Sequence, residues 1–163
     1  MSEVKTISKP ESLLKQGVKT IPDLFEFGSK QWSRHTAFRK KHPWGYQSIT
    51  YEEFNRLLSC LGAGLIRRGL SPGDKVILIA NNSPEWPLVY GAVTSAGGVV
   101  VPLDPSLAEN DIRHLLMHSG SRFLVTDPEI YLNRIRQMHL KQTRVILIEE
   151  GNTDSEADQL GEI

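Results

Sequence analysis

Apolar positions recur with a helical period after Thr50. Thr50 and Glu53 have the spacing of a capping box, in which each residue bonds the backbone of the other. Gly69 is suited to the left-handed conformation that ends many helices. The pattern therefore predicts a helix that begins after Thr50 and buries one face. The apolar residues of that face are Phe54, Leu57, Leu58, Leu61 and Leu65.

Beyond this helix, short apolar runs alternate with helical segments. Strands are predicted at 76–80, 99–101, 122–126 and 145–148. Helices are predicted between them at 85–96, 108–119 and 127–139. Short strands separated by helices of about a dozen residues are typical of βαβ units. The fold class is therefore predicted to be α/β, with a mostly parallel sheet and flanking helices.

The N-terminal part shows a different pattern. A helix is predicted to begin at Pro22, with its apolar side formed by Leu24, Phe25, Phe27 and Trp32. Two short strands at 36–39 and 46–49, joined by a turn at 43–45, predict a small antiparallel hairpin. Residues 1–19 are expected to be a flexible lead-in, 20–149 the α/β unit, and 150–163 an acidic tail.

Composition and charge exclude several classes of protein. The 163 residues carry 19 Lys plus Arg and 19 Asp plus Glu, and this balance argues against a protein that coats nucleic acid or an anionic membrane. The single cysteine, Cys60, excludes an intramolecular disulfide and favours a cytoplasmic location.

Residues 86–103 are uncharged and as long as a membrane span. Their glycines and prolines favour a buried helix, a tight turn and a buried strand instead, so no transmembrane segment is expected.

The residues that could carry chemistry have structural interpretations. Neither G-x-x-x-x-G-K-[ST] nor a G-x-G-x-x-G between strand and helix is present. His114 and His118 have metal-ligand spacing but no third ligand, so two exposed histidines are expected. Cys60 is expected to be a small buried residue. Ser83 is expected to cap the helix that starts at Pro84. No catalytic, cofactor-binding or metal-binding residue is assigned.

Four segments occur in a characteristic order: ITYEEF at 49–54, LSPGDKV at 70–76, NSPEW at 82–86 and AGGVVVPLDP at 96–105. This series resembles the N-terminal part of the adenylate-forming superfamily, which includes acyl-CoA synthetases, luciferases and peptide-synthetase adenylation domains. It is most similar to the medium- or long-chain fatty-acid CoA ligases. The resemblance extends over about residues 20–149.

The resemblance implies an activity for a longer protein. Members convert a carboxylic acid and MgATP into an acyl-adenylate, then transfer the acyl group to a thiol such as CoA. It also implies that the phosphate-binding loop and the catalytic lysine follow the matched region. The expectation is an N-terminal fragment, inactive by itself, of an enzyme that uses ATP, Mg and CoA on a fatty acid.

The loop after strand 76–80 is the only part expected to approach a substrate. Ligands of open α/β sheets bind beyond the carboxyl ends of the strands, so Asn82, Ser83 and Trp86 are expected to border the cleft. Exposed apolar surface on a fragment also predicts self-association. Two alternatives stay open: an adenylating enzyme for an aryl acid, an amino acid or a carrier-bound fatty acid, and a stand-alone α/β binding domain.

Overall fold

The computed structural model describes residues 10–138, 140 and 143–148. Residues 1–9 of the predicted lead-in and the predicted tail at 150–163 lie outside this range. The rest of the lead-in contains a short helix, α1 (Pro10–Lys15), which the apolar pattern did not predict. Among the described residues there is no helix whose length and apolar character would let it cross a membrane.

The predicted N-terminal helix and hairpin are both present. Helix α2 spans Ile21–Trp32. The oxygen Oγ1 of Thr20 accepts from the backbone of Asp23 at 3.2 Å. Strands β1 (Thr36–His42) and β2 (Gly45–Thr50) pair antiparallel. The strands are longer than predicted because pairing continues up to the two-residue turn.

Helix α3 (Tyr51–Arg67) confirms the predicted caps. The backbone N–H of Thr50 donates to the Glu53 carboxylate at 2.8 Å, and Gly69 has a φ of 91°. The hydrogen bonds from the Thr50 backbone and then its side chain lower the pKa of Glu53. The prediction for Cys60 was wrong, because the thiol is exposed. Position 60 lies about 200° around the helix from buried Leu58, which points it to solvent.

A four-stranded parallel sheet forms the centre of the molecule. Its strands are β3 (Lys75–Ile79), β4 (Val99–Pro102), β5 (Phe123–Thr126) and β6 (Arg144–Leu147), in the spatial order β4-β3-β5-β6. The fold class predicted from the sequence is confirmed. The prediction of a buried strand at 99–101 was wrong, because β4 is an edge strand and Val99 is 48% exposed.

Helices cover both faces of this sheet. Helices α2, α3 and α4 (Glu85–Ser95) pack on one face, around a cluster that includes Val76, Leu78 and Phe123. The other face carries Ile77, Ile79 and Leu124. Helix α5 (Glu109–Ser119) contributes Ile112 and Leu116 to that second cluster. Successive side chains of β3 and β5 therefore point alternately into the two apolar layers, as expected for strands buried on both faces.

The last predicted helix, 127–139, is irregular. It begins as α6 (Pro128–Ile130), widens into a π-helical turn at Tyr131–Ile135 and ends as a 3-10 turn at Arg136–Met138. The i→i+5 spacing of the π turn brings Ile130 and Ile135 onto one face, where both are buried. His139, the predicted end, lies outside the described residues.

Candidate functional site

The carboxyl ends of the parallel strands meet at one edge of the sheet, called here the carboxyl edge. Strand β3 is followed by Asn81 and Asn82, which are exposed, and β5 is followed by Asp127. The backbone N–H of Asn81 donates to Oδ2 of Asp127 at 2.7 Å, which ties the two loops together. Ligands of parallel α/β sheets bind at this edge, so these loops define the candidate site.

Ser83 does not have the predicted capping role. The N-cap of α4 is Pro84, whose backbone is helical (φ −61°, ψ −24°), and no side chain caps the helix. The turn begins one residue early, with the Ser83 carbonyl accepting from Trp86 at 3.2 Å. A side-chain cap requires an extended backbone at the cap residue, which Pro84 does not provide. Oγ of Ser83 is instead buried and has no hydrogen-bond partner among the described residues.

Glu85 joins the candidate site to the hairpin. Its Oε1 lies 3.3 Å from Nζ of Lys40 on β1, and both side chains are largely buried. Its Oε2 is buried and has no hydrogen-bond partner within the described part of the chain. Sequence reasoning missed this pair, since 45 positions separate the two residues.

The Trp86 ring packs along α4. It stacks on the ring of Tyr90, with centroids 5.6 Å apart and planes 20° apart. It is partly buried against the cluster on the α2–α3–α4 face. Of the three predicted residues, the structure thus places Asn82 and the Ser83 hydroxyl in the edge loop. It places the Trp86 ring on the adjoining helix.

Thr126 is a further polar group at this edge, and sequence reasoning missed it. It is the last residue of β5, it is fully buried, and its Oγ1 has no hydrogen-bond partner among the described residues. Buried hydroxyls in native structures are nearly always hydrogen-bonded. The only available sequence signal was a threonine ending an otherwise apolar strand. Three buried oxygens with unused hydrogen-bonding capacity therefore lie at or beside the carboxyl edge.

The carboxylates of the edge loops are already engaged. Asp104, after β4, accepts from the backbone of Ser106 at 2.7 Å, and that bond is the main cause of its lowered pKa. Asp127 accepts from Asn81. No group of three or more His, Cys, Asp or Glu side chains is close enough to hold a metal within the described ranges. His114 and His118 are exposed as predicted, with their rings stacked at 5.9 Å.

A groove of about 530 Å³ lies elsewhere, between α2, α3 and the C-terminal end of α4. Helix α4 starts at the carboxyl edge, so Ser95 and Ala96 in this groove lie at the opposite end of that helix. Of its two acidic residues, Asp23 is occupied in capping α2, where hydrogen bonds from Lys19 and Thr20 lower its pKa, and Glu26 pairs with Lys30. The groove is therefore separate from the candidate site.

Comparison with known proteins identifies relatives of this chain. The model of the AMP-binding enzyme family matches residues 25–162. The chain is 33% identical over 110 residues to 4-hydroxybutyrate–CoA ligase 2 of Metallosphaera sedula, covering 67% of this chain and 20% of that protein. It is 32% identical over 117 residues to gramicidin S synthase 2 of Brevibacillus brevis, covering 72% and 2% respectively.

A solved structure has the same fold. The N-terminal subdomain of Klebsiella oxytoca NpsA superposes with a TM-score of 0.62 and 26% identity, over 72% of this chain and 34% of that one. The chain thus spans a fifth or less of the two relatives' length and about a third of the solved chain.

Proposed function

Because this chain belongs to the AMP-binding enzyme family, we propose that it is the N-terminal part of an enzyme that activates a carboxylic acid as an acyl-adenylate. The whole enzyme then passes the acyl group to a thiol. The observation that carries this proposal is the family match over residues 25–162, which includes both the sheet and its carboxyl-edge loops. A stand-alone binding domain is not favoured, because the match extends through nearly all of the chain.

The acid is proposed to be a fatty acid, and the acceptor CoA. Support comes from the similarity to a protein named as a 4-hydroxybutyrate–CoA ligase. A second candidate function is an adenylating enzyme that loads an amino acid or another acid onto a carrier protein. The similarity to gramicidin S synthase 2, at almost the same identity, supports this second candidate. A cytoplasmic location and self-association both stay predictions.

The described residues do not by themselves fit ATP or Mg. Among the described residues, no group of three or more His, Cys, Asp or Glu side chains could hold a metal ion, and Asp104 and Asp127 each accept a backbone hydrogen bond. Positioned cations and backbone donors around phosphates dominate adenylyl and phosphoryl chemistry, and the chain has no G-x-x-x-x-G-K-[ST] loop to supply them.

What this chain contributes is a border of the acid-binding cleft. Asn82 offers an exposed amide, and Ser83 and Thr126 offer buried hydroxyls without partners among the described residues. An unpartnered buried hydroxyl destabilises the fold. A hydrogen bond to it from a ligand group or from a further segment of the chain would remove that cost. Trp86 and Tyr90 provide a stacked aromatic wall beside this edge.

The test is acid-dependent exchange of pyrophosphate into ATP by the full-length protein, across acids of increasing chain length. The proposal predicts exchange with at least one acid, and acyl transfer to CoA rather than to a carrier thiol. Replacing Trp86 by Ala should change the preferred acid or the turnover. The matched replacement Trp32→Ala, on α2, should change neither. No exchange with any acid would contradict the proposal.

A further inference from the structure

The hairpin carries a local excess of positive charge that the neutral total conceals. Between Phe27 and Tyr51 the sequence contains five Lys or Arg residues and no Asp or Glu. Strands β1 and β2 make up most of this segment. Two of the five pair with acids outside the segment, Lys30 with Glu26 and Lys40 with Glu85. The remaining cations still attract anions, whatever the net charge of the whole chain.

The strand register places two of these cations on the outer face of the hairpin. Arg39 lies opposite Ser48 and Lys41 lies opposite Tyr46, and all four are exposed. Neither Arg39 nor Lys41 has an ion-pair or hydrogen-bond partner among the described residues. Lys40 points to the other face, where Glu85 pairs with it. The two outer cations are therefore available to an external partner.

Two large aromatic side chains accompany them. Trp44, in the turn, is 71% exposed, and Tyr46 is 66% exposed. The Trp44 ring stacks on His42, with centroids 4.7 Å apart and planes 5° apart. His42 is held in turn by a 3.1 Å contact between its Nε2 and Oε1 of Gln47. The indole is therefore fixed in an exposed position at the end of the hairpin.

We propose that the hairpin tip, defined as Arg39, Lys41, Trp44 and Tyr46, docks onto a lipid surface that contains anionic phospholipid. Trp and Tyr are the side chains favoured at the boundary between headgroups and acyl chains. Lys and Arg beside them gain free energy from anionic headgroups. The docking is peripheral and goes beyond the proposed acid activation, since it requires no part of the carboxyl edge.

A lipid surface fits the tip better than a nucleic acid does. Proteins that bind single strands combine stacking aromatics with a positively charged groove that follows the backbone. The hairpin tip surrounds a two-residue turn at the end of a two-stranded ribbon, and its two cations lie on one outer face of that ribbon. One ring face of Trp44 is already covered by His42, which removes half of its stacking surface.

The test is co-sedimentation of the 163-residue chain with two kinds of vesicle, phosphatidylcholine alone and phosphatidylcholine with phosphatidylserine. We expect binding to the anionic vesicles that weakens as salt is raised. The double variant R39S/K41S should bind roughly 30-fold more weakly. Trp44→Ala should bind about tenfold more weakly, because apolar contact with the interface is lost. In a variant that retains only Trp44, W32F/W86F, tryptophan emission should shift to shorter wavelength on binding.

The matched controls remove an exposed cation and an exposed apolar side chain elsewhere. They are Arg136→Ser and Met117→Ala, and Met117 is 76% exposed on α5. Both controls should bind like the parent. Equal binding to neutral vesicles, equal loss in the controls, or binding of a thymidine oligonucleotide without vesicle binding would overturn the proposal. The side chains of Arg39 and Lys41 are exposed and unpaired, so their replacement should not disturb folding. The R39S/K41S variant therefore tests the proposal even if Trp44→Ala does not fold.

Discussion

The two ends of strand β5 each carry a buried hydroxyl, and the two hydroxyls differ in their hydrogen bonding. Just before the strand, Oγ of Ser121 lies 2.7 Å from the carbonyl of Lys75 and 2.6 Å from that of Phe123, and accepts from Ile77 at 3.2 Å. At the other end, Oγ1 of Thr126 is fully buried and has no partner among the described residues. The hydroxyl before the strand is therefore fully hydrogen-bonded, whereas the hydroxyl at its carboxyl end has no partner among the described residues.

The surroundings show the same difference. At the amino ends of the parallel strands, called here the amino edge, Asp74 accepts from the backbone of Ser71 at 2.9 Å and from Arg122 at 3.2 Å. Nζ of Lys75 donates to the Ser119 carbonyl at 2.9 Å. At the carboxyl edge, Asp127 accepts from the Asn81 backbone at 2.7 Å, but the Ser83 hydroxyl lacks a partner among the described residues. Polar groups that are fully bonded stabilise a fold, whereas unused capacity concentrates where function requires it. The comparison places the stabilising side-chain bonds at the amino edge, and it supports the proposal that the carboxyl edge binds a ligand.

The largest expected effect is on the amino edge. Ser121→Ala should lower the free energy of unfolding by about 2 kcal/mol, because it leaves buried backbone groups without their partner. Urea denaturation measures this change. The control Ser48→Ala removes an exposed hydroxyl from the hairpin and should change stability by less than about 0.5 kcal/mol. Equal effects of the two replacements would remove the basis of the comparison.

The next largest change in stability is expected at the start of a helix, and the starts of α3 and α4 are compared. Thr50→Ala removes the capping box of α3 and should cost about 1 kcal/mol. Ser83→Ala, at the start of α4, should cost much less, because that hydroxyl caps nothing. Thermal unfolding of both variants makes the comparison. A loss for Ser83→Ala as large as that for Thr50→Ala would show that the hydroxyl has a partner.

Thr126→Val tests the unpartnered hydroxyl directly. Because the replacement removes a buried group that is not hydrogen-bonded and keeps the side-chain shape, the free energy of unfolding should stay unchanged or rise by about 1 kcal/mol. Denaturant unfolding of the 163-residue chain measures it. A loss of stability similar to that of Ser121→Ala would contradict the difference between the two edges.

The smallest effect concerns pH. The folded-state pKa of Glu53 is lowered by its bonds to Thr50, so its contribution is present above the unfolded pKa and is lost as pH falls through the folded pKa. Parent and Glu53→Gln should therefore differ most near neutral pH, by a few tenths of a kcal/mol for this exposed group, and converge in acid. Denaturant unfolding across a pH series checks this. A difference in stability that grows in acid would contradict a lowered pKa for Glu53 in the folded state.

Features encoded by neighbouring residues could be predicted from the sequence. The capping box of Thr50 and Glu53, the left-handed Gly69 and the alternation of strands and helices all depend on residues close in the chain. Their order along the chain was enough to predict a parallel sheet with helices on it. The π-helical turn was missed, because only the second apolar cluster explains why Ile130 and Ile135 share a face.

Features that depend on distant residues could not be predicted. The run of valines at 99–101 gives no sign that β4 is an edge strand, since that depends on which strands pair. The Glu85–Lys40 pair and the isolation of the Thr126 hydroxyl likewise arise only after folding. The cap expected at Ser83 failed because Pro84 took the cap position. The candidate site was therefore located by topology, while its chemistry required the structure.

The most direct test is the Michaelis constant for the acid in the full-length protein after Asn82→Ala. Asn82 is exposed in the loop after β3, and its replacement should leave stability unchanged. If the carboxyl edge borders the acid-binding cleft, the Michaelis constant should rise about tenfold, the equivalent of one good polar contact. The matched control Asn133→Ala, also exposed, should leave it unchanged. The same Michaelis constant in both variants and the parent would contradict the assignment of binding to the carboxyl edge.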